Sequence, residues 1–252
     1  MAASDQRYER EREFHNQASE RWDAVEKFYE TASGARKRYK ELVLGRATEG
    51  SNVLEYGCGE GGYAFDLAKK GSSVTGIDIS DVRIEHARAR AAGLAGLNFK
   101  VMNAERLEFP DDTFDLICGA AILHHLDLNP ALAEVARTLR GSGEAVFLEP
   151  LGHNPLINLY RRLTPAYRTP DEHPLLLREV RLMSRYFGSV QAQYFHLTVL
   201  LASSLSRSLG GRTMARALER VDDLLLRVPF LRRYAWMVVL KLGDPRKNGA
   251  GG

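Results

Sequence analysis

The stretch Val53-Leu54-Glu55-Tyr56-Gly57-Cys58-Gly59-Glu60-Gly61-Gly62 decides the fold. It opens as a short apolar run, the signature of a buried strand, and breaks into a turn rich in glycine. Glycines permit a sharp turn and let a ligand approach the backbone closely. In open α/β sheets such a turn lies at the carboxyl edge of the strands, where ligands bind.

Outward from this turn, short apolar runs alternate with helical segments. Strands are expected over Asn52–Tyr56, Ser73–Ile77, Asn98–Met102, Phe114–Cys118 and Glu144–Glu149. Helices are expected over Tyr63–Lys70, Asp81–Ala92 and Ala131–Leu139, with Gly71 and Gly141 near two of their ends. This alternation predicts a parallel, doubly wound α/β sheet.

Before the core, residues 5–47 are rich in Glu, Arg, Lys and Ala, with Trp22, Val25, Phe28, Tyr29, Tyr39, Leu42 and Val43 at helical spacing. Two or three amphipathic helices are expected there, with Ser33-Gly34 as a break. After the core, Leu151–Pro174 reads as an irregular loop with some helix and Glu179–Tyr186 as a helix. Val190–Thr198 and Ala235–Leu242 read as strands on either side of the apolar helical stretch Val199–Phe230. The expected organisation is an N-terminal helical cap (1–48), a ligand-binding core (49–150), an acceptor-side lid that completes the sheet (151–243), and a flexible tail (244–252).

The glycines admit two cofactor classes. Gly57, Gly59 and Gly62 satisfy the GxGxxG spacing of dinucleotide sites, a weak pattern alone. Glu55 discriminates: a carboxylate beside the loop repels a pyrophosphate and attracts a sulfonium with an α-amino group. Asp78, at the end of the second strand, suits the two hydroxyls of a ribose. A dinucleotide-dependent oxidoreductase is therefore the second reading.

In 252 residues with 44% hydrophobic content there is enough chain for a buried core with an elaboration. A net charge of +3 with mixed signs gives no basis for nucleic-acid binding. Two cysteines, Cys58 and Cys118, form no disulfide framework, and the polar start Met1–Glu20 lacks a signal-peptide pattern. A cytoplasmic setting without a membrane span is expected, and no pattern implies a metal.

Residues 50–150 resemble the class I S-adenosylmethionine-dependent methyltransferases, in the small-molecule branch that includes ubiquinone and menaquinone biosynthesis enzymes. Glu55–Gly61 matches that family's first motif, Asp78-Ile79 its ribose and adenine contacts, and Asn103–Leu107 its third site. Asn103 stands where the family often has Asp. Phe109–Asp115, Cys118–Leu126, Glu134–Arg137 and Leu139–Gly143 extend the match.

The resemblance implies a Rossmann-like sheet of seven strands, mostly parallel with an antiparallel last strand. It also implies N-terminal helices and a helical lid insertion. The cofactor would be S-adenosylmethionine, held by Glu55, Gly57, Cys58, Gly59, Gly61, Asp78, Ile79, Asn103, Ala104 and Gly119. A non-catalytic cofactor-binding partner subunit is a third reading.

The expected catalytic groups are His124 and His125, which follow the fourth strand, and Glu149, which ends the fifth. Histidine titrates near neutrality and can take a proton from a nucleophile. His153 and His173 lie in the following loop, a place to line an acceptor pocket. The leucine-rich flanks suit an apolar small-molecule acceptor methylated on oxygen or carbon. The stripe Val221, Leu224, Leu225, Val228, Phe230 and Leu231 is expected to pack on the core, broken by Pro229. Arg227, Arg232 and Arg233 beside it read first as a solvated face, with peripheral contact to an anionic head group or membrane surface as the alternative, and the chain is compatible with a monomer or a homodimer.

Overall fold

In a computed structural model, residues 3–17, 33–169, 171–198 and 211–247 are described. Seven strands form one sheet: β1 (Asn52–Tyr56), β2 (Ser73–Asp78), β3 (Leu97–Val101), β4 (Phe114–Ala120), β5 (Leu139–Pro150), β6 (Phe187–Phe195) and β7 (Met237–Pro245). Their order is β3-β2-β1-β4-β5-β7-β6. The pairs from β3 across to β5 are parallel. β7 runs antiparallel to both of its neighbours, as expected of the last strand.

The order reverses at β1, where β2 lies on one side and β4 on the other. A crevice opens at such a switch point, outside the carboxyl ends of the strands. Both faces of the sheet are covered. In β1, Val53 belongs to one apolar cluster while Leu54 and Tyr56 belong to the other, as the twofold alternation of a strand requires. The helices that cover the sheet include α2 (Ser33–Arg46), α3 (Ala64–Ala68), α4 (Asp81–Arg90) and α5 (Leu128–Thr138), while α1 (Ala3–Gln17) packs against α4. Tyr39 and Val43 lie one turn apart on α2 and are fully buried.

Some boundaries differ from the sequence reading, each for a local reason. α5 starts three residues before Ala131 because the Asp127 side chain accepts from Asn129 N and caps it. β5 begins at Leu139 because that residue already pairs with Phe114, across an irregularity in the register. β6 lies three residues earlier than expected. It is the sheet edge and mostly half-exposed, so its apolar pattern is weak. Ser33-Gly34 opens α2, and the expected helix at Trp22–Tyr29 lies outside the described residues. β7 reaches Pro245, two residues into the expected tail.

The region after β5 contains α6 (Pro155–Leu163) and α7 (Leu177–Leu182), followed beyond β6 by α8 (Gly211–Leu225) and α9 (Pro229–Arg232). The apolar stripe expected to pack on the core is instead turned outward: Val221, Leu224, Val228 and Phe230 are exposed. α8 docks through Leu226 just beyond its end and through buried Asp222, which accepts from the backbone N–H groups of Leu197 and Thr198. Satisfying the buried Asp222 carboxylate fixes the helix rotation against its apolar stripe. Among the described residues no helix is long and apolar enough to cross a membrane.

Phe147 is fully buried at the centre of β5, edge-on to Tyr56 at 6.0 Å. Phe147→Ala is expected to cost about 3–5 kcal/mol, through lost burial and the cavity left behind. The urea midpoint of unfolding measures this.

Candidate active site

The glycine turn is held from behind. Glu55 is buried at the end of β1, and its carboxylate accepts from Tyr63 N at 2.7 Å and Ala64 N at 2.8 Å. These donors lie at the start of α3, where a negative charge is also favoured by the helix dipole. Asp78 holds the front of the turn, accepting from Gly59 N at 2.8 Å and from Ser80 N at 2.9 Å. Gly57 has φ +72°, and a Cβ there would come within 2.8 Å of Ile122, so only glycine fits without a shift. A Cβ at Gly119 would meet the Tyr56 carbonyl at 2.8 Å, which makes that glycine a requirement of close strand packing.

This frame opens onto a cavity of about 910 Å³. That is at the upper end of the usual ligand-pocket range of about 300–1,000 Å³, so there is room for a nucleoside cofactor and part of a second molecule. Of the expected cofactor residues, Gly57, Asp78, Ile79, Asn103 and Ala104 line it. Glu55, Cys58, Gly59, Gly61 and Gly119 are not on its wall, and shape the turn and strands behind it. Asn103 Oδ1 accepts from Glu105 N at 2.8 Å, leaving its amide nitrogen to donate. The Tyr56 hydroxyl donates to the Ala104 carbonyl and fixes that segment from below.

His124 and His125 also line the cavity, and the fold gives them different partners. His124 is buried and its Nδ1 lies 2.7 Å from Glu149 Oε2. The other Glu149 oxygen accepts from Ile122 N at 3.0 Å and Leu123 N at 2.8 Å. Glu149 is fully buried behind the cavity and orients the imidazole rather than facing a ligand. The contact makes Nδ1 the protonated nitrogen and leaves Nε2 as the acceptor. Burial, together with neighbouring His125, holds the His124 pKa below the ordinary histidine value. For His125, burial pushes the other way from its carboxylate neighbours. Glu11, with Glu172 and Glu149, outweighs it, and the net shift is upward.

Residues that the sequence reading passed over complete the site. α1 lies along the cavity through Arg7, Tyr8, Glu9, Glu11 and His15. It is tied to the start of α4 by Arg12 and Asn16 on Asp81, at 3.2 and 2.9 Å, and to the post-β5 loop by Arg10 on Asp171 at 2.8 Å. Glu172, on the same wall, is paired with Arg161 at 2.7 Å. The Glu11–His15 spacing of four on a helix was the sequence signal for this wall. His153 and His173 are not on the wall: His153 Nε2 accepts from Leu177 N, and exposed His173 faces Glu179 at 3.3 Å.

Residues 53–143 match the model of a family described as "Methyltransferase domain". Aklanonic acid methyltransferase DauC of Streptomyces sp. (strain C5) is 30% identical over 209 residues, which covers 80% of this chain and 90% of that protein. The chain belongs to the class I S-adenosylmethionine-dependent methyltransferases. The demethylmenaquinone methyltransferase of Tropheryma whipplei is 33% identical over 184 residues, covering 72% of this chain and 70% of the relative. In fold, the chain is similar to phosphoethanolamine N-methyltransferase 2 of Haemonchus contortus, with a TM-score of 0.63 at 15% identity. That likeness covers 93% of this methyltransferase and 60% of the longer neighbour. Family membership makes the chain an enzyme and sets aside both the dinucleotide oxidoreductase and the non-catalytic subunit.

Burial pushes the Glu55 carboxyl up from 4.5 to about 7. Its two backbone donors oppose the rise, and Asp78 adds to it. A carboxyl raised in the folded state contributes stability that is complete below its unfolded value and lost as pH rises through its folded value. Between about pH 5 and about pH 8, the wild-type urea midpoint should therefore fall relative to that of Glu55→Gln. A gap between the two that does not change with pH contradicts this.

Proposed function

We propose that this methyltransferase moves a methyl group to an oxygen or carbon of an apolar small molecule, with His124 taking the acceptor's proton. The observation that carries the reading is one shared cavity. Its wall holds both the expected cofactor residues Gly57, Asp78, Ile79, Asn103 and Ala104 and the histidine His124. The same wall includes Met102, Ile122, Leu126, Leu148 and Met237, an apolar surface suited to a ring or chain. Relatives named for aklanonic acid, demethylmenaquinone and fatty acid favour a polyketide, prenylated, aromatic or lipid-like acceptor.

The donor set fits S-adenosylmethionine. Asp78 offers carboxylate oxygens to the ribose hydroxyls, Ile79 an apolar surface to the adenine, and Asn103 and Ala104 polar atoms to its edge. The Gly57 backbone admits the methionine end, and Glu55 and Asp78 give that end a negative field for an α-amino group and a sulfonium. When bound, the cofactor supplies an activated methyl group. The protein's task is then to place the acceptor in line, exclude water and remove one proton. His124 Nε2 is the acceptor of that proton, and Glu149 stabilises the imidazolium by holding Nδ1–H at 2.7 Å. The aklanonic acid relative favours a secondary-metabolic role, which we place in the cytoplasm.

Equilibrium titration with S-adenosylmethionine should show saturable binding, weakened about 10- to 100-fold in Asp78→Ala by loss of a charged hydrogen-bond acceptor. No binding, or equal binding by the variant, contradicts the cofactor placement.

Metabolite extracts incubated with the enzyme and S-adenosylmethionine should contain a product heavier by one methylene in the mass spectrum. With that acceptor, His124→Ala is expected to lower kcat about 10²- to 10⁴-fold while changing cofactor affinity little. An unchanged kcat removes His124 as the base.

A further inference from the structure

We infer that Glu11, His15 and His125 form a binding site for a divalent transition-metal ion of the zinc class, on the α1 side of the cavity. Glu11 and His15 are four apart on α1 and share one face of the helix. His125 comes from the short turn after β4. Glu11 Oε2 lies 3.1 Å from His125 Nδ1 and 3.5 Å from His15 Nε2. One ligand atom from each of the three residues lies within 4.8 Å of the others. An ion about 2.0–2.1 Å from each of its nitrogen and oxygen ligands sets tetrahedral ligand atoms about 3.3–3.5 Å apart. The two measured separations bracket that spacing.

A second observation points to a missing partner. Glu11 is 5% exposed, yet Glu11 Oε2 and His125 Nδ1 make no aligned hydrogen bond among the described residues. Their close approach without hydrogen-bond geometry is an arrangement that an ion between them would complete. The other Glu11 oxygen accepts from the buried Thr169 hydroxyl, which fixes the carboxylate in the way outer partners fix metal ligands. A neighbouring set, His124, His125 and Glu172, is also compact. Its charges are already answered: Glu172 faces Arg161 at 2.7 Å, and His124 Nδ1 faces Glu149 at 2.7 Å.

Two imidazoles and one carboxylate select zinc, cobalt or a similar ion over magnesium or calcium, which prefer all-oxygen shells. Three protein ligands leave a fourth position, and all three residues line the cavity. That position suits water or an oxygen of the acceptor, a hydroxyl, phenol or carboxylate. This last step rests on the proposed methyl transfer. The ion site itself does not. The ion would also staple α1 to the turn carrying His125, closing one wall of the cavity.

The chain is stripped with a chelator and titrated with Co²⁺, then with Zn²⁺ in competition. One equivalent of Co²⁺ should bind with the visible d–d absorption of a low-coordinate site. Hydrogen exchange in residues 3–17 should slow on binding. Glu11→Gln and His15→Ala should each weaken uptake at least about tenfold, whereas His86→Ala, a surface histidine paired with Glu60, should not. Absence of saturable one-equivalent uptake overturns the site, as does uptake insensitive to both α1 variants. Loss of uptake in Glu172→Gln with none in Glu11→Gln moves the ion to the other set and overturns it equally. Binding of S-adenosylmethionine to the metal-free chain is measured alongside, so a failed cofactor placement shows separately from a failed metal site.

Discussion

The carboxylate of Glu55 on the backbone N–H groups of Tyr63 and Ala64 is the contact on which the rest depends. It joins the end of the central strand to the start of the next helix, across a turn that has few side chains of its own. Without it, the half-buried Tyr63 N–H at the start of α3 would lose its acceptor, at a cost of about 1–3 kcal/mol, and Ala64 N would keep only the Gly61 carbonyl. With it, Gly57 keeps its left-handed conformation against Ile122, and Gly59 N stays within reach of Asp78. One side chain thereby sets the shape of the turn.

The two halves of the cavity are built by different means. The half formed by Gly57, Asp78, Asn103 and Ala104 is made at strand ends and braced by hydrogen bonds within the core, such as Tyr56 to the Ala104 carbonyl. The rest of the wall is assembled from separate pieces of chain: α1, the turn Leu123–His125, and the segments carrying Arg161 and Glu172. Charged contacts join these pieces, including Arg10 on Asp171 and Arg161 on Glu172.

The parallel core was legible because its strands are short, doubly buried apolar runs between glycine-marked turns, as in Val53–Tyr56 and Val74–Asp78. β6 was displaced in the reading because an edge strand with half-exposed side chains carries little periodicity. The stripe on α8 and α9 followed a helical pattern and still faces outward, because buried Asp222 decides the helix rotation. His124 and Glu149 were found as candidates, but their pairing joins residues 25 apart across neighbouring strands and is visible only in the fold. Glu11 and His15 were missed for the opposite reason: α1 is polar along its length, so nothing in its apolar pattern marked a buried face.

The central claim is that the cavity in front of the Glu55-anchored turn holds the methyl donor. A crystal structure of the complex with S-adenosylhomocysteine tests it most directly. The account predicts ribose hydroxyls on the Asp78 carboxylate, adenine beside Ile79 and Asn103, and the amino-acid end against Gly57. A ligand bound elsewhere, or one whose ribose has no contact with Asp78, would contradict it.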